Sequence, residues 1–428
     1  MRKFNIAIIG LGNIGSYLFQ YLKKNKRIIS KKNNCIPNVI FVSAKNRNRN
    51  RGYKINNKIW LKNYLDATKN KNVDLIVELI GGAEGPAKKL VFNALKNKKH
   101  VVTANKALIA KYGNELAKIA EKNKVNLEFE ASVCGGVPII RSLKEGLIAN
   151  KIHKVYGIFN GTSNYILSSM DKENKSFSDV LHKAKKLGYA ESNPLSDLNG
   201  DDVSAKLKIL SSLCFNSFLN NNIHVEGIKD IDKDDISYAK KLGYKIKLLG
   251  YAELIGKHIF QRVHPTLIKK SSYVASIDGV LNAVIIDGIP VGQSIIQGEG
   301  AGPAATTSAL ISDISSILRG NIKFPFSISN KERKNLNFRH ISDRYFSAYF
   351  RFNVIDKPGV LSNITQIFSK NNVSIKRLVQ DPNKNKGSSS IIIITHPSKD
   401  KSLNKIIKII NKRSYVKKRS KLIRIDEE

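Results

Sequence analysis

The chain opens on FNIAIIGLGNIGSYLFQYLKK, in which a short apolar run passes through three glycines into a segment whose apolar positions recur at helical spacing. That order predicts a buried strand, a glycine turn and an amphipathic helix. Further buried runs follow in VIFVSAKNRNRNRG (39–52), VDLIVELIGG (73–82) and HVVTANK (100–106), with a helical stretch containing AKKLVFNALKNKK between the last two. Strands alternating with helices predict a parallel sheet whose ligand lies beyond the carboxyl ends of the strands. Thr103 and Lys106 close the last run, at that edge.

VNLEFEASVCGGVPII (125–140) then leaves the first unit through a Gly-Gly turn, and the patterns become mixed. VYGIFNGTSNYIL, a helix ending at LGYAE, the helical DLNGDDVSAKLKIL (197–210) and the alternating HIFQRVHPTLI and SYVASIDGVLNAVIIDG predict an α+β unit with a mixed or antiparallel sheet. GEGAGPAATTSALISDISSILRG (298–320) reads as a glycine turn and a helix expected to return to the first unit. After the hydrophilic SISNKERKNLNFRHISD, the tail from AYFRFNVIDKPGVL through SSSIIIITHPS to SLNKIIKIIN reads as βαββαβ, a ferredoxin-like unit.

Composition narrows the classes. At 428 residues, 42% hydrophobic and 25% charged, the chain is long enough for about three folded domains. A net charge of +39 raises nucleic-acid binding, but the basic residues are scattered. Only KNRNRNR (45–51) and VKKRSK (416–421) are dense, and neither is interleaved with aromatics, so compositional bias is the preferred reading. Three dispersed cysteines, Cys35, Cys134 and Cys214, argue against a disulfide framework and for a reducing compartment. No run reaches membrane-spanning length and no leader pattern precedes the first strand, so the expectation is a cytoplasmic protein without membrane or nucleic-acid partners.

Gly10, Gly12 and Gly15 fall in the G-x-G-x-x-G spacing that permits a tight turn, close approach of a pyrophosphate and close helix packing. The second apolar run ends without the acidic residue that would bond a ribose 2′-hydroxyl and offers Lys45, Arg47 and Arg49 instead, which favours NADP over NAD. In DLNGDDVSAKLKIL, helical phase with Val203 at zero puts Leu207, Leu210, Leu213 and Cys214 near ~40°, ~340°, ~280° and ~20°. Lys206 falls near ~300°, inside that apolar arc, while Lys208 points away near ~140°. Asp202 precedes Lys206 at i,i+4, so this is either an amine tuned for acid–base work or a lysine snorkelling to solvent.

Taken together, GLGNIG, VVTANKALIA, EASVCGGVPII, GIFNGTSNYIL, LGYAESNPLSDLNGDDVSAKLKIL, GEGAGPAATTSA and IDKPGVL resemble the homoserine dehydrogenases of the monofunctional type with a C-terminal ACT domain. The resemblance implies an α/β chain: a Rossmann NAD(P)-binding domain over 1–135, an α+β catalytic and dimerisation domain with a mixed sheet over 136–325, a linker over 326–345 and a ferredoxin-like ACT domain over 346–428. It implies reversible reduction of L-aspartate 4-semialdehyde to L-homoserine, on the way to threonine and methionine. Lys206 would donate the proton and Lys106 share in proton handling. Glu191 and Asp202 would hold the substrate's ammonium and hydroxyl ends, Asp197 would add a further acid, and Thr162 and Tyr189 would shape the pocket. Gly10, Leu11, Gly12, Asn13, Ile14 and Gly15 would bind the cofactor with Thr103, Lys106, Gly188 and Gly302, besides Lys45 and Arg47 from the basic loop. Glu130 and the carbonyls of Val133, Gly135 and Val137 resemble a sodium site, and oxygen-only ligation suits a hard cation. Threonine is the implied effector and a homodimer the implied assembly. One departure is Asn193, where the family usually has Asp. A 2-hydroxyacid dehydrogenase would need a histidine paired with a carboxylate, and the surroundings of His100, His153, His224 and His264 supply none; a non-catalytic sensor would be expected to have lost Asp202 or Lys206.

Overall fold

The structure, a computed structural model, describes residues 1–219, 222–383 and 387–426. Strand β1 (Arg2–Ile9) is buried from Ile6 to Ile9 because β2 (Cys35–Ser43) and β3 (Leu75–Glu78) flank it in parallel and helices cover both faces. Helix α1 (Asn13–Lys24) leaves the glycine turn, α2 (Pro86–Lys96) begins with proline at its first turn, β4 (His100–Thr103) follows, and α3 (Lys106–Lys122) leads to the short β5 (Leu127–Glu128). The sheet order β2-β1-β3-β4-β5 reverses between β1 and β3, which places a crevice at the carboxyl ends of those two strands. The second apolar run is shorter than its pattern suggested: it starts at Cys35, and Lys45 to Gly52 lie in the loop beyond it, where asparagines bonded to their own backbone favour turns.

The second unit is built on β6 (Lys151–Ile158), α4 (Gly161–Glu173), α5 (Phe177–Lys186), α6 (Asp201–Cys214), α7 (Lys233–Lys241), β7 (Tyr244–Ile255), β8 (His258–Lys269), β9 (Leu281–Ile289), β10 (Gly292–Glu299) and α8 (Pro303–Leu318). Its strands run antiparallel in the order β10-β9-β6-β7-β8. Two readings of alternation need correction. SYVAS forms a helical turn over Tyr273–Ser276 instead of a strand. Strand β8 is buried along all but its ends, because Val263 and Leu267 pack into one core and Phe260 into another.

The tail is β11 (Tyr345–Ile355), α9 (Val360–Lys370), β12 (Ile375–Pro382), β13 (Ser388–Thr395), α10 (Asp400–Ile410) and β14 (Val416–Asp426). The strand order β14-β11-β13-β12 is the antiparallel ferredoxin-like arrangement, with Phe350, Phe352, Phe368, Leu403 and Ile406 in its core. β14 also pairs in parallel with β8, at Arg424 with Thr266 and Ile425 with Leu267, so the tail's sheet continues the sheet of the second unit. Ion pairs cross the same seam: buried Arg351 of β11 reaches buried Asp235 of α7 at 2.7 Å, and Arg424 of β14 reaches the partly exposed Glu226 at 2.9 Å. The hydrophilic stretch before the tail does not behave as a free linker. Phe326 is fully buried, and Arg333 lies over Phe326 and Phe218 while donating to Ser212, Ser217 and Asn114.

Helix α8 returns to the first unit as its position after the glycine turn suggested. Leu310, Ile314 and Ile317 pack on Leu18 and Leu22 of α1, and Asn33 donates to Ser315. The cysteines are buried and free, and no helix among the described residues is long and apolar enough to cross a membrane. Truncating Ile314, which is fully buried, leaves a cavity where α8 meets α1. Ile314→Ala is expected to cost about 2–5 kcal/mol of stability, read as a lower denaturant midpoint for the dinucleotide-binding unit.

Candidate active site

The glycines of the first turn divide by what surrounds them. Gly10 has φ +108°, and a Cβ there would lie 2.4 Å from the Leu79 backbone; at Gly15 it would lie 2.0 Å from the Gly10 carbonyl oxygen. Both are therefore demanded by the approach of helix to strand. Gly12 has nothing within 4 Å of the same point, so the open side of the turn lies over the N-terminus of α1, which no side chain caps. Leu11, Asn13 and Ile14 complete a backbone surface suited to a pyrophosphate.

Glu78, at the end of β3, is fully buried and was not singled out from the sequence. Its Oε1 accepts the amides of Ile80 and Gly81, and its Oε2 accepts the Thr103 hydroxyl at 2.6 Å. Thr103 in turn accepts the Asn105 amide, and Asn105 caps α3 by accepting from Leu108. This chain shapes the crevice floor and sets Lys106 at the first position of α3, so Lys106 opens a helix where the pattern had it closing a strand. On the crevice rim Arg49 donates to Asn13, Arg47 donates to Asn57, and Lys45 is exposed. Arg51, also missed, donates to the carbonyls of Leu11, Asn46, Arg47 and Arg49 and so holds the basic loop against the turn. Arg47 and Arg51 both lie over the Trp60 ring.

Across the crevice, α6 begins at Asp201 after Gly200, whose φ of +88° makes the left-handed break between two helices. Lys206 is 8% exposed and does not snorkel. Its Nζ lies 2.8 Å from Asp202 Oδ2 and donates to the Phe159 carbonyl at 2.7 Å. Lys208 is half-buried, so α6 is enclosed further round than its phase implied. The other oxygen of Asp202 lies 2.8 Å from Lys106 Nζ, whose side chain is 41% exposed. Asn160, another residue missed, closes the cluster: its Nδ2 donates to Asp202 at 2.9 Å and to Asp197 at 2.7 Å, while its Oδ1 caps α4 by accepting from Ser163. Its position just before a helix in NGTS was the available signal.

Burial works against both charges of the pair, yet the pairing wins. Asp202 is held well below the usual carboxylate range because Lys206 and Lys106 outweigh its desolvation. Lys206 is raised above the ordinary lysine value because Asp202, with Cys134 and Asp197, outweighs its burial. Asp197 is raised by burial and by the neighbouring Asp202, and burial pushes the Cys134 thiol up to about 11. The Thr162 hydroxyl donates to the Tyr189 carbonyl at 2.7 Å, and the Tyr165 and Tyr189 rings pack 4.9 Å apart, which pins the loop bearing Glu191 to α4. Glu191 itself is exposed on the rim and bonds none of the described residues, so the structure does not join it to the Asp202 cluster. Gly188 and Gly302 both have positive φ and open space around them.

Glu130, Val133, Gly135 and Val137 share one buried loop. The Glu130 oxygens accept the amides of Ile140 and Arg141, and burial raises its pKa to about 7. Among the described residues no group of three histidines, cysteines or carboxylates could hold a metal. Both oxygens of this buried carboxylate are thus held by backbone amides of the segment that follows the loop.

Three family models cover this arrangement: the NAD-binding domain of homoserine dehydrogenase over residues 10–130, homoserine dehydrogenase over 138–315 and the ACT domain over 348–414. A homoserine dehydrogenase of Neisseria gonorrhoeae is 39% identical, with 100% of this chain and 99% of that protein aligned. The solved homoserine dehydrogenase of Thiobacillus denitrificans superposes with a TM-score of 0.92 at 36% identity, covering 100% of this chain and 99% of the other. A hyperthermophilic archaeal homoserine dehydrogenase mutant, solved in complex with NADPH, gives a TM-score of 0.62 at 25% identity over 73% of this chain and 97% of its own. The chain belongs to the homoserine dehydrogenase family, NAD(P)-dependent oxidoreductases acting on a CH–OH group, in the form that carries a C-terminal ACT domain.

Proposed function

We propose that this chain reversibly reduces L-aspartate 4-semialdehyde to L-homoserine in the cytoplasm, using NADPH, with Lys206 as the proton donor and, in reverse, the acceptor. The observation that carries this is the buried ammonium of Lys206, fixed by Asp202 and the Phe159 carbonyl. An ammonium has three N–H bonds; two are engaged, and the third is free to meet an oxygen that gains negative charge. NADPH held on the glycine turn would supply a hydride to the aldehyde carbon, and Lys206 would give its proton to the carbonyl oxygen as it becomes the alcohol. Lys106 shares Asp202 and is exposed, so it links the site to solvent and supports return of a proton to Lys206. Since Lys106, Lys206 and Asn160 occupy the Asp202 oxygens, Asp202 serves chiefly as their counter-ion. Glu191 and Asp197 are then the acids for the substrate's ammonium, with Thr162 and Tyr189 positioning the loop.

The pyrophosphate would rest on Gly10 to Gly15, near Thr103, Gly188 and Gly302, and the ribose 2′-phosphate on Lys45 and Arg47. The exposed basic loop supports NADPH over NADH, as does the NADPH complex of the archaeal relative. A sodium ion held by Glu130 and the Val133, Gly135 and Val137 carbonyls would keep that buried carboxylate ionised and fix the loop between the two units. The ACT domain supports feedback by threonine.

Removing the donor should leave cofactor binding intact: Lys206→Ala is expected to lower kcat about 10²–10⁴-fold, measured as NADPH oxidation with the semialdehyde. Asp202→Asn removes the carboxylate that raises Lys206, so the amine loses its proton at lower pH. The alkaline limb of the reduction pH profile should therefore move to lower pH in this variant. Arg47→Ala is expected to raise the KM for NADPH about tenfold, the loss of one charge-assisted hydrogen bond, while the KM for NADH stays within about threefold.

A further inference from the structure

Lys106 and Asp202 stand in the first turns of two helices, α3 and α6, which begin at the crevice and run away from it. Farther along, both helices meet residues 321–334, the stretch that follows α8 and precedes the tail. On the side of the first unit, the Asn330 amide donates to both carboxylate oxygens of Glu121, near the end of α3. Asn126, just beyond that helix, donates to the Asn321 carbonyl and accepts the Lys323 amide. On the side of the second unit, the Phe218 amide donates to the Lys334 carbonyl and the Lys334 amide to the Asn216 carbonyl, each at 3.0 Å. The stretch is thus a brace bonded to both units.

Arg333 is the centre of that brace and is 5% exposed. Its Nη2 donates to Asn114 of α3 and to Ser212 of α6, each at 2.9 Å, and to the Ser217 carbonyl at 2.8 Å. Nε reaches the same carbonyl at 3.2 Å, and Nη1 donates to Asn330 at 3.0 Å. Phe326 and Phe218 hold the guanidinium between them, 4.1 and 4.8 Å from their ring centres. A planar fork of donors fixed in this way addresses two helices at once, which a single ammonium on a flexible stem cannot do. Gly113, next to Asn114, lets the contact close: a Cβ there would lie 2.8 Å from Leu219 and 3.0 Å from Phe326. Asn114 stands eight residues past Lys106, about 12 Å along α3, and Ser212 ten residues past Asp202, about 15 Å along α6.

We propose that Arg333 is a positioning residue for the reaction: by bonding Asn114 and Ser212 together it holds α3 against α6 at the spacing at which Lys106 reaches Asp202. The proposal rests on the role given to Lys106 above and adds the part of the chain that keeps it in place. The Lys106 side chain is 41% exposed, so packing alone does not fix its 2.8 Å contact with Asp202, and the position of the α3 backbone does. With the brace cut, Lys106 exchanges Asp202 for water and the return of a proton to Lys206 slows. Cofactor binding, which draws chiefly on the glycine turn, changes little.

Because Arg333 is deeply buried and its replacement can unfold the chain, the first variant is at the partly buried Asn114. Reduction of the semialdehyde by NADPH is measured for Asn114→Ala, Asn114→Asp and Arg333→Lys, each with Lys106 intact and again with Lys106→Ala. Asn114→Ala is expected to lower kcat about tenfold while the KM for NADPH stays within about twofold of the parent. Asn114→Asp, which keeps an acceptor for Arg333, should restore most of kcat, and Arg333→Lys should behave as Asn114→Ala does. In the Lys106→Ala background Asn114→Ala and Arg333→Lys should change kcat by less than about twofold, because the group they misplace is already gone. Equal losses in both backgrounds, or parent-like kcat in Asn114→Ala, would overturn the positioning role and leave Lys106 in the reaction. A Lys106→Ala variant as active as the parent would remove Lys106 from the reaction and overturn the positioning role with it.

Discussion

The Asp202 carboxylate organises the charged cluster in the crevice because it compensates two lysines at once, one buried on its own helix and one exposed at the start of another. A buried ammonium without that partner would lose its proton, and a buried carboxylate without the lysines would gain one. Asp202 and Lys206 thus hold each other in their charged forms, and Lys106 adds to the hold on Asp202. The arrangement also requires that the dinucleotide unit, which carries Lys106, and the second unit, which carries Asp202 and Lys206, face each other across a few ångströms.

Much of the remaining architecture serves that requirement. Helix α8 belongs to the second unit by chain order and to the first by packing, so it binds the two together behind the crevice. The Glu130 loop reinforces the same junction: Asp313 of α8 accepts the Glu130 amide, and Glu299 accepts the amide of Gly136. On the far side, the parallel pairing of β14 with β8 and the Arg351 and Arg424 ion pairs make the ACT domain an extension of the catalytic sheet. The sheet thus runs without a break from the second unit into the ACT domain.

What the sequence disclosed followed from how local each signal is. The glycine turn, the phase that buried Lys206 and the βαββαβ order of the tail depend on neighbouring residues, and each is readable in a short window. Glu78 and Asn160 could not be weighed that way, because their importance comes from partners such as Thr103 and Asp202, which lie far along the chain. Arg51 was obscured by its equally basic neighbours, and only its four carbonyl contacts set it apart. The stretch before the tail looked like a linker because polar residues dominate it, although Phe326 anchors it in the core and Arg333 satisfies buried carbonyl and hydroxyl groups. Glu191 shows the opposite limit: family resemblance gives it a role that its exposed position does not display.

The central claim concerns the charge on one buried amine, and it is open to direct observation. Chain labelled with carbon-13 and nitrogen-15 in its lysine side chains, with Lys206→Arg used to assign the signal, can be titrated by NMR through the alkaline range. The account predicts that the Lys206 ammonium persists above the pH at which exposed lysines have lost their protons, since Asp202 outweighs its burial. A Lys206 signal that titrates with or below the exposed lysines would contradict it.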